Sequence, residues 1–447
     1  MIHIQRLGLN LVIGLLLCLS GCDFTDDSAS YSAVESRSIP NYNEWIVAYD
    51  VNNPESNNDP VTASFLGEHD SSIKIATKLA YGMQQNTSVQ DEARIGKAIK
   101  YFSDLLQSDT ASQEIKNNAR RYLSLLERPK STEEIFDSFQ PVNAIEYITQ
   151  EAERYHFTLI NEAHYSAINR AYTTRLLKPL WEKGYRYLAL EALSYQDSGI
   201  NNRSYPILSS GYYIKESSFG MMVREALELG FQLIPYETQD YSHDGTERDK
   251  DQAENIFRQT LSRDSIGKVL VHVGYGHLGE EGGSSYMPMG AQLKAIANQD
   301  ILTIDQQTML PLDDLEKLHP FLKYIYEHEL INMPTVFKND EFGVLRDPVN
   351  HFSVDIQVYH PKSRQIDGRP DYLVYDEANH YKLNDEISDF QYHLLQVTPS
   401  GEPEDAIPVD QFIIRENKAI IAKPGSYKLR IIDPEGTLVG EAYMTAK

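Results

Sequence analysis

Between residues 157 and 304 the sequence alternates short apolar runs with segments of helical period, and no other feature limits the fold so tightly. Phe157, Leu159 and Ile160 suit a buried strand. Ile168, Ala171, Leu177 and Trp181 follow at roughly helical spacing, and Gly184 stops the helix before Tyr187–Leu190 read as a second strand. Parallel strands need such a crossover, so the unit is βαβ. The pattern continues with a helix over 220–229, a strand over 231–234, a helix over 249–261, a strand over 269–273, a helix over 289–297 and a strand over 301–304. The expected fold class is α/β, with a mainly parallel sheet at its core.

The expected strand ends carry the chemistry. The first runs into Glu162 and His164, the second into Glu191, the third into Glu237, and the fourth into Gly274-Tyr275-Gly276-His277. Glu162 and His164 are two apart, so on an extended backbone they project to one side. Open α/β sheets bind ligands beyond the carboxyl ends of their strands. We therefore take Glu162, His164, Glu191 and His277 as candidate catalytic or metal-ligating residues. Arg248, Glu237 and Tyr275 are candidate substrate contacts, while Arg248 equally suits a salt bridge to a nearby acid. His272, inside the fourth strand, reads as a core histidine, and His243 lies in a loop within reach of the site.

Three chemistries suit these residue types. A histidine oriented by a carboxylate is a general base for water attacking an ester or amide carbonyl. Histidines and carboxylates together can hold a divalent metal that activates water. His277 or a neighbouring tyrosine can ligate haem iron without turnover. The sequence contains no Gly-x-Ser-x-Gly elbow and the expected mature domain no thiol, so direct attack by water is expected over a covalent intermediate; without a His-Glu-x-x-His helix motif, any metal site is expected to be assembled from separate loops.

The flanks differ in character. A chain of 447 residues exceeds one ordinary domain. Residues 1–22 join Arg6, an apolar run and Leu19-Ser20-Gly21-Cys22, which resembles a bacterial lipobox in which Cys22 receives lipid. The two cysteines are Cys18 and Cys22, so the expected mature domain has neither disulfide nor thiol nucleophile. Residues 23–60 are polar and read as a tether, with a short ordered piece near Trp45–Tyr49. Residues 61–141 read as a helical subdomain, 142–345 as the α/β core, and 346–447 as a β-rich region. A net charge of −24 argues against nucleic acid as a partner. The expected setting is the cell envelope, lipid-anchored and facing the periplasm, with a small-molecule or peptide substrate.

Read together, Ile160-Asn161-Glu162-Ala163-His164, Gly184-Tyr185 with Ala189-Leu190-Glu191, Arg248-Asp249 with Gln252–Ile256, and Gly274–Leu278 followed by Gly290 and Leu293 resemble a known superfamily. It groups erythromycin esterase-like hydrolases, Tiki-type membrane proteases and ChaN-like haem-binding lipoproteins. The resemblance spans about 142–304 and implies an α/β core with its site at the strand ends. It also implies His164 as the water-activating base, assisted by Glu162 and Glu191. Asn161 stands where the family favours glycine, and the Glu162–His164 spacing is one residue shorter than in the esterases.

Overall fold

A computed structural model describes residues 46–84 (48 excepted), a few positions between 100 and 116, and 132–447 apart from 283–285, 313–314, 316–317, 341–342, 348–353, 375–376 and 417. Cys22, the signal-like segment 1–22 and most of the expected helices between 85 and 131 lie outside the described residues.

In chain order the core contributes β1 (Gln140–Asn143), β2 (Phe157–Glu162), β3 (Tyr185–Leu190), β4 (Gln232–Pro235), β5 (Lys268–Gly274), β6 (Leu302–Asp305), β7 (Thr335–Asn339), β8 (Gly343–Val344) and β9 (Ile356–Gln357). Six of these form a parallel sheet in the order β4-β3-β5-β2-β6-β9. The chain leaves β2 for β3, moves outward to β4, then returns to insert β5 between β3 and β2. That reversal is the kind of switch point at which such sheets open a crevice. Strands β1, β7 and β8 form a separate antiparallel sheet.

Both faces of the parallel sheet are covered, which is why its strands read as near-continuous apolar runs. On one face Ile160, Leu188, Leu270 and Ile304 pack with Ile148, Leu176, Leu177 and Val223 of the helices Ala144–Glu151, Ala167–Glu182 and Ser217–Leu229. On the other, Leu159, Ala189, Val269, Val271 and Val273 pack with Ala253, Ile256, Met289 and Leu293 of the helices Gly245–Gln259 and Met289–Ala297. Burying each such side chain favours folding by about 1.5–3 kcal/mol. The α/β expectation is met, with a parallel sheet between two helical layers.

The C-terminal part is antiparallel. After the short hairpin β10 (Gln365–Ile366) and β11 (Arg369–Pro370), β12 (Asn379–Lys382) pairs with β15 (Ala419–Ala422). Strands β13 (Leu394–Pro399), β14 (Asp410–Ile413), β16 (Gly425–Ile432) and β17 (Leu438–Ala446) form a sheet in the order β14-β13-β16-β17. Asp433 to Gly436 make the β16–β17 turn, with Gly436 N donating to Asp433 O at 2.9 Å.

Two boundaries move. The expected tether 23–60 ends early, because Ile46, Tyr49 and Val51 are buried together with Phe65, Leu394, Ile413 and Ile432. These apolar residues punctuate a polar stretch and find the C-terminal sheet. The core also extends past the expected boundary at 345, because β9 adds the sixth parallel strand beside β6. Between β6 and β9 the chain adds the helix Pro320–Glu327 before β7.

Candidate active site

The ends of β2, β3 and β5 bring the expected residues together. Glu162 is fully embedded at the end of β2, and Arg170, one turn into the helix Ala167–Glu182, meets it side-on. Arg170 Nε donates to Glu162 Oε2 at 2.7 Å and Nη2 to Oε1 at 3.1 Å. The same guanidinium donates to Glu216 Oε2 at 3.1 Å and to the His164 carbonyl at 2.7 Å. Glu216 caps the helix Ser217–Leu229 through Ser218 N and Phe219 N, so the network ties β2 to two helices. Burial alone would raise the Glu162 pKa. The Arg170 charge and a hydrogen bond from His164 outweigh it and hold Glu162 well below the ordinary carboxylate range.

His164 Nδ1 lies 2.9 Å from Glu162 Oε1. An ionised carboxylate only accepts, so Nδ1 carries the proton and Nε2 keeps its lone pair. One ring face stacks on Tyr213, with centroids 4.1 Å apart, and Tyr275 meets the ring nearly edge-on at 4.9 Å. The Cε1–Nε2 edge lies over Gly274. A Cβ there would fall 2.5 Å from His164 Cε1, 2.8 Å from Nε2 and 3.0 Å from Glu191 Oε2. The missing side chain is what lets His164 and Glu191 approach each other across the end of β5.

Glu191 Oε2 accepts from Gly274 N at 2.6 Å, and its Oε1 accepts from Arg248 Nη2 at 2.7 Å. Arg248 comes from the first turn of the helix Gly245–Gln259. It also binds both carboxylate oxygens of Glu237, which Gln252 and Thr238 N steady further. Arg248 Nη1 reaches His277 Nε2 at 3.2 Å. Beyond it, His277 Nδ1 is 2.9 Å from both oxygens of buried Asp249, with hydrogen-bond geometry to Oδ2. Tyr286 Oη donates to the same Oδ2 at 2.6 Å. Gly290 N donates to the His277 carbonyl at 2.8 Å, a seat for the helix Met289–Ala297 that a Cβ on Gly290 would block at 2.3 Å from Leu278 O. Burial lowers the His277 pKa, but the Asp249 hydrogen bond and the charges of Glu191 and Asp249 prevail and raise it.

The arrangement therefore holds two carboxylate–histidine pairs, Glu162–His164 and Asp249–His277, on either side of the Glu191–Arg248 ion pair. Sequence reasoning named Glu162, His164, Glu191, Glu237, Arg248, Tyr275 and His277, and the structure joins all seven in one network. It gave no role to Arg170, Tyr213, Glu216, Asp249 or Tyr286. Cationic Arg170 on a helix face otherwise read as apolar was the signal for the first of these. His243 does not join; it pairs with Asp251 at 2.8 Å, on the loop's own helix. His272 is a core histidine as expected. Burial lowers its pKa to about 4, and its Nε2 lies 3.8 Å from Glu162 Oε2, too far for a hydrogen bond.

The metal and haem expectations fit these residues poorly. Among the described residues no group of three or more His, Cys, Asp or Glu side chains is placed to hold a metal ion, so Glu162, His164, Glu191 and His277 do not form a ligand set. The reason is electrostatic: Arg170 and Arg248 already occupy the positions beside Glu162 and Glu191 that a cation would take. His277 Nε2, the nitrogen expected to reach haem iron, faces Arg248 Nη1 at 3.2 Å.

No protein-family model matches the chain, and no curated protein does. Solved structures give distant likenesses. One is the C-terminal region of Pasteurella multocida toxin, described as having a thiol-protease-like catalytic triad, at 12% identity over 43% of this chain and 30% of that one, with a TM-score of 0.29. Another is RRSP, a MARTX toxin effector domain from Vibrio vulnificus, at 12% identity over 43% and 46% of the two chains and a TM-score of 0.26. A third, described as bacterial protein toxins, shows 14% identity over 45% of each chain and a TM-score of 0.28. Each match spans less than half of the solved chain, and at these scores none carries a functional argument. No cysteine stands in the site described above, so thiol chemistry stays with the toxin.

Proposed function

We propose that this chain hydrolyses an ester or amide bond without a metal, with water activated by His164. The observation that carries the reading is the Glu162–His164 pair, which leaves Nε2 basic beside Glu191 at the sheet's switch point. Water gives its proton to His164 Nε2 as its oxygen attacks the carbonyl carbon, and Glu162 stabilises the imidazolium that forms. Arg248 has five N–H groups, of which four are engaged by Glu191, Glu237 and His277. The remaining Nη1–H is a donor for the developing oxyanion. When the tetrahedral intermediate collapses, the bond to the leaving oxygen or nitrogen breaks, and His164 Nε2 returns to it the proton taken from water.

On the same residues we propose a distant relationship to the esterase-like, Tiki and ChaN-like superfamily, and action at the cell envelope through lipid on Cys22. Replacing Cys22 with Ser should move the protein from the membrane fraction to the soluble one; membrane association unchanged in Cys22→Ser would remove the anchor. The hydrolase reading is tested by screening chromogenic esters and a peptide library in the presence of EDTA. Turnover lost in His164→Ala supports it, and turnover that EDTA abolishes and zinc restores would overturn the metal-free mechanism.

A further inference from the structure

We infer that Asn161 is a positioning residue for His164, acting through the backbone of Tyr275. This deepens the hydrolase reading, but its test needs no substrate. Asn161 neighbours Glu162 on β2 and points to the opposite side of the strand, away from Arg170. It is fully buried, and its amide is satisfied at both ends. Oδ1 accepts from Gln306 N at 2.8 Å, while Nδ2 donates to Asp305 Oδ1 at 2.7 Å and to the Tyr275 carbonyl at 2.8 Å. The donor on one side and the two acceptors on the other leave a single orientation for the amide. Asp305 is held in turn by Gln357 Nε2 at 2.9 Å.

Tyr275 shows why such a clamp is needed. Its φ is +44°, in the left-handed region that side-chain-bearing residues avoid unless their surroundings impose it. Here β2 imposes it from both sides of the residue: Tyr275 N donates to the Glu162 carbonyl at 2.8 Å, and Tyr275 O accepts from Asn161. The turn leaving β5 is thereby bolted to the end of β2, and the Tyr275 ring stands edge-on to His164. Asp305 and Gln357 extend the clamp to β6 and β9, strands that contribute no other group to the site. The glycine that the superfamily favours at position 161 has no side chain with which to make these bonds.

The test is a double-mutant cycle on the intact protein, read by the His164 Cε1–H resonance across a pH titration. Asn161→Ala and Tyr275→Ala should each displace that resonance and its titration midpoint, and the double variant should show no further change. A merely structural Asn161 would lower the melting temperature while leaving the His164 titration unmoved, and that result would overturn the inference. Additive effects of the two substitutions would do the same. Because the readout is spectroscopic, a failure here leaves the hydrolase reading standing, and absent turnover leaves the clamp standing.

Discussion

Two regions of this molecule bury an arginine against a carboxylate, and they use it differently. In the C-terminal sheet Arg369 donates to both oxygens of Asp410, at 2.9 and 2.7 Å, and to the Ala419 carbonyl; Asp410 also accepts from Ile421 N. Every further hydrogen-bond partner is backbone, and the guanidinium lies 4.3 Å over the Phe412 ring, so the pair joins β11, β14 and β15 without reaching a titratable ring at a strand end. At the sheet edge of the core Arg170 grips Glu162 just as closely, but Glu162 keeps one more partner, His164, and that ring reaches the outside with 17% of its side chain exposed. A buried ion pair alone is weak support for a site. One that passes its charge to a titratable group at a strand end is a far better candidate.

The comparison can be broken at either end. The largest effect is expected from His164→Ala, which should cut turnover about 10²–10⁴-fold, the usual contribution of a general base, with little change in thermal stability. Next, Arg369→Ala should leave Asp410 unpaired and cost about 3–5 kcal/mol in denaturant unfolding. Its effect on turnover, measured well below the melting point, should be small; a loss as deep as that of His164→Ala would erase the distinction between the two pairs. Gly274→Ala should lower turnover by at least about tenfold while the sheet stays folded, because its Cβ would displace both His164 and Glu191.

Smaller effects follow from titration. Burial holds His69 and His272 neutral down to about pH 4 and His360 to about 3, against an ordinary value of 6.5. The unfolded chain therefore binds more protons below pH 6.5. The stability these rings contribute is complete above that value and is lost as pH falls toward 4, by up to about 3 kcal/mol for each. Unfolding curves measured from pH 7 to 4 should show the loss, and His272→Phe should make it shallower.

The alternation of strand and helix was enough to read the parallel sheet, and the residues terminating its strands were enough to place Glu162, His164, Glu191, Glu237 and His277. Side chains that complete the site from helices and loops were harder to see. Arg170 occupies a buried helix position where the apolar period leaves no room for a charge, and only its partners Glu162 and Glu216, eight and 46 residues away, explain it. Asp249 was visible beside Arg248, yet nothing local shows that the helix start aims it at His277. The strand β9 has only two residues, too few for a period to register. The short ordered piece expected near Trp45–Tyr49 was legible, but few apolar residues mark that Ile46, Tyr49 and Val51 pack under the C-terminal sheet.

Metal-free hydrolysis is tested most directly by following turnover of a panel of chromogenic esters and peptides in EDTA, with wild type and His164→Ala side by side. The geometry predicts hydrolysis by the wild-type protein that EDTA leaves intact and that the variant loses. Equal turnover by both proteins, or hydrolysis that appears only when a divalent metal is added, would contradict it.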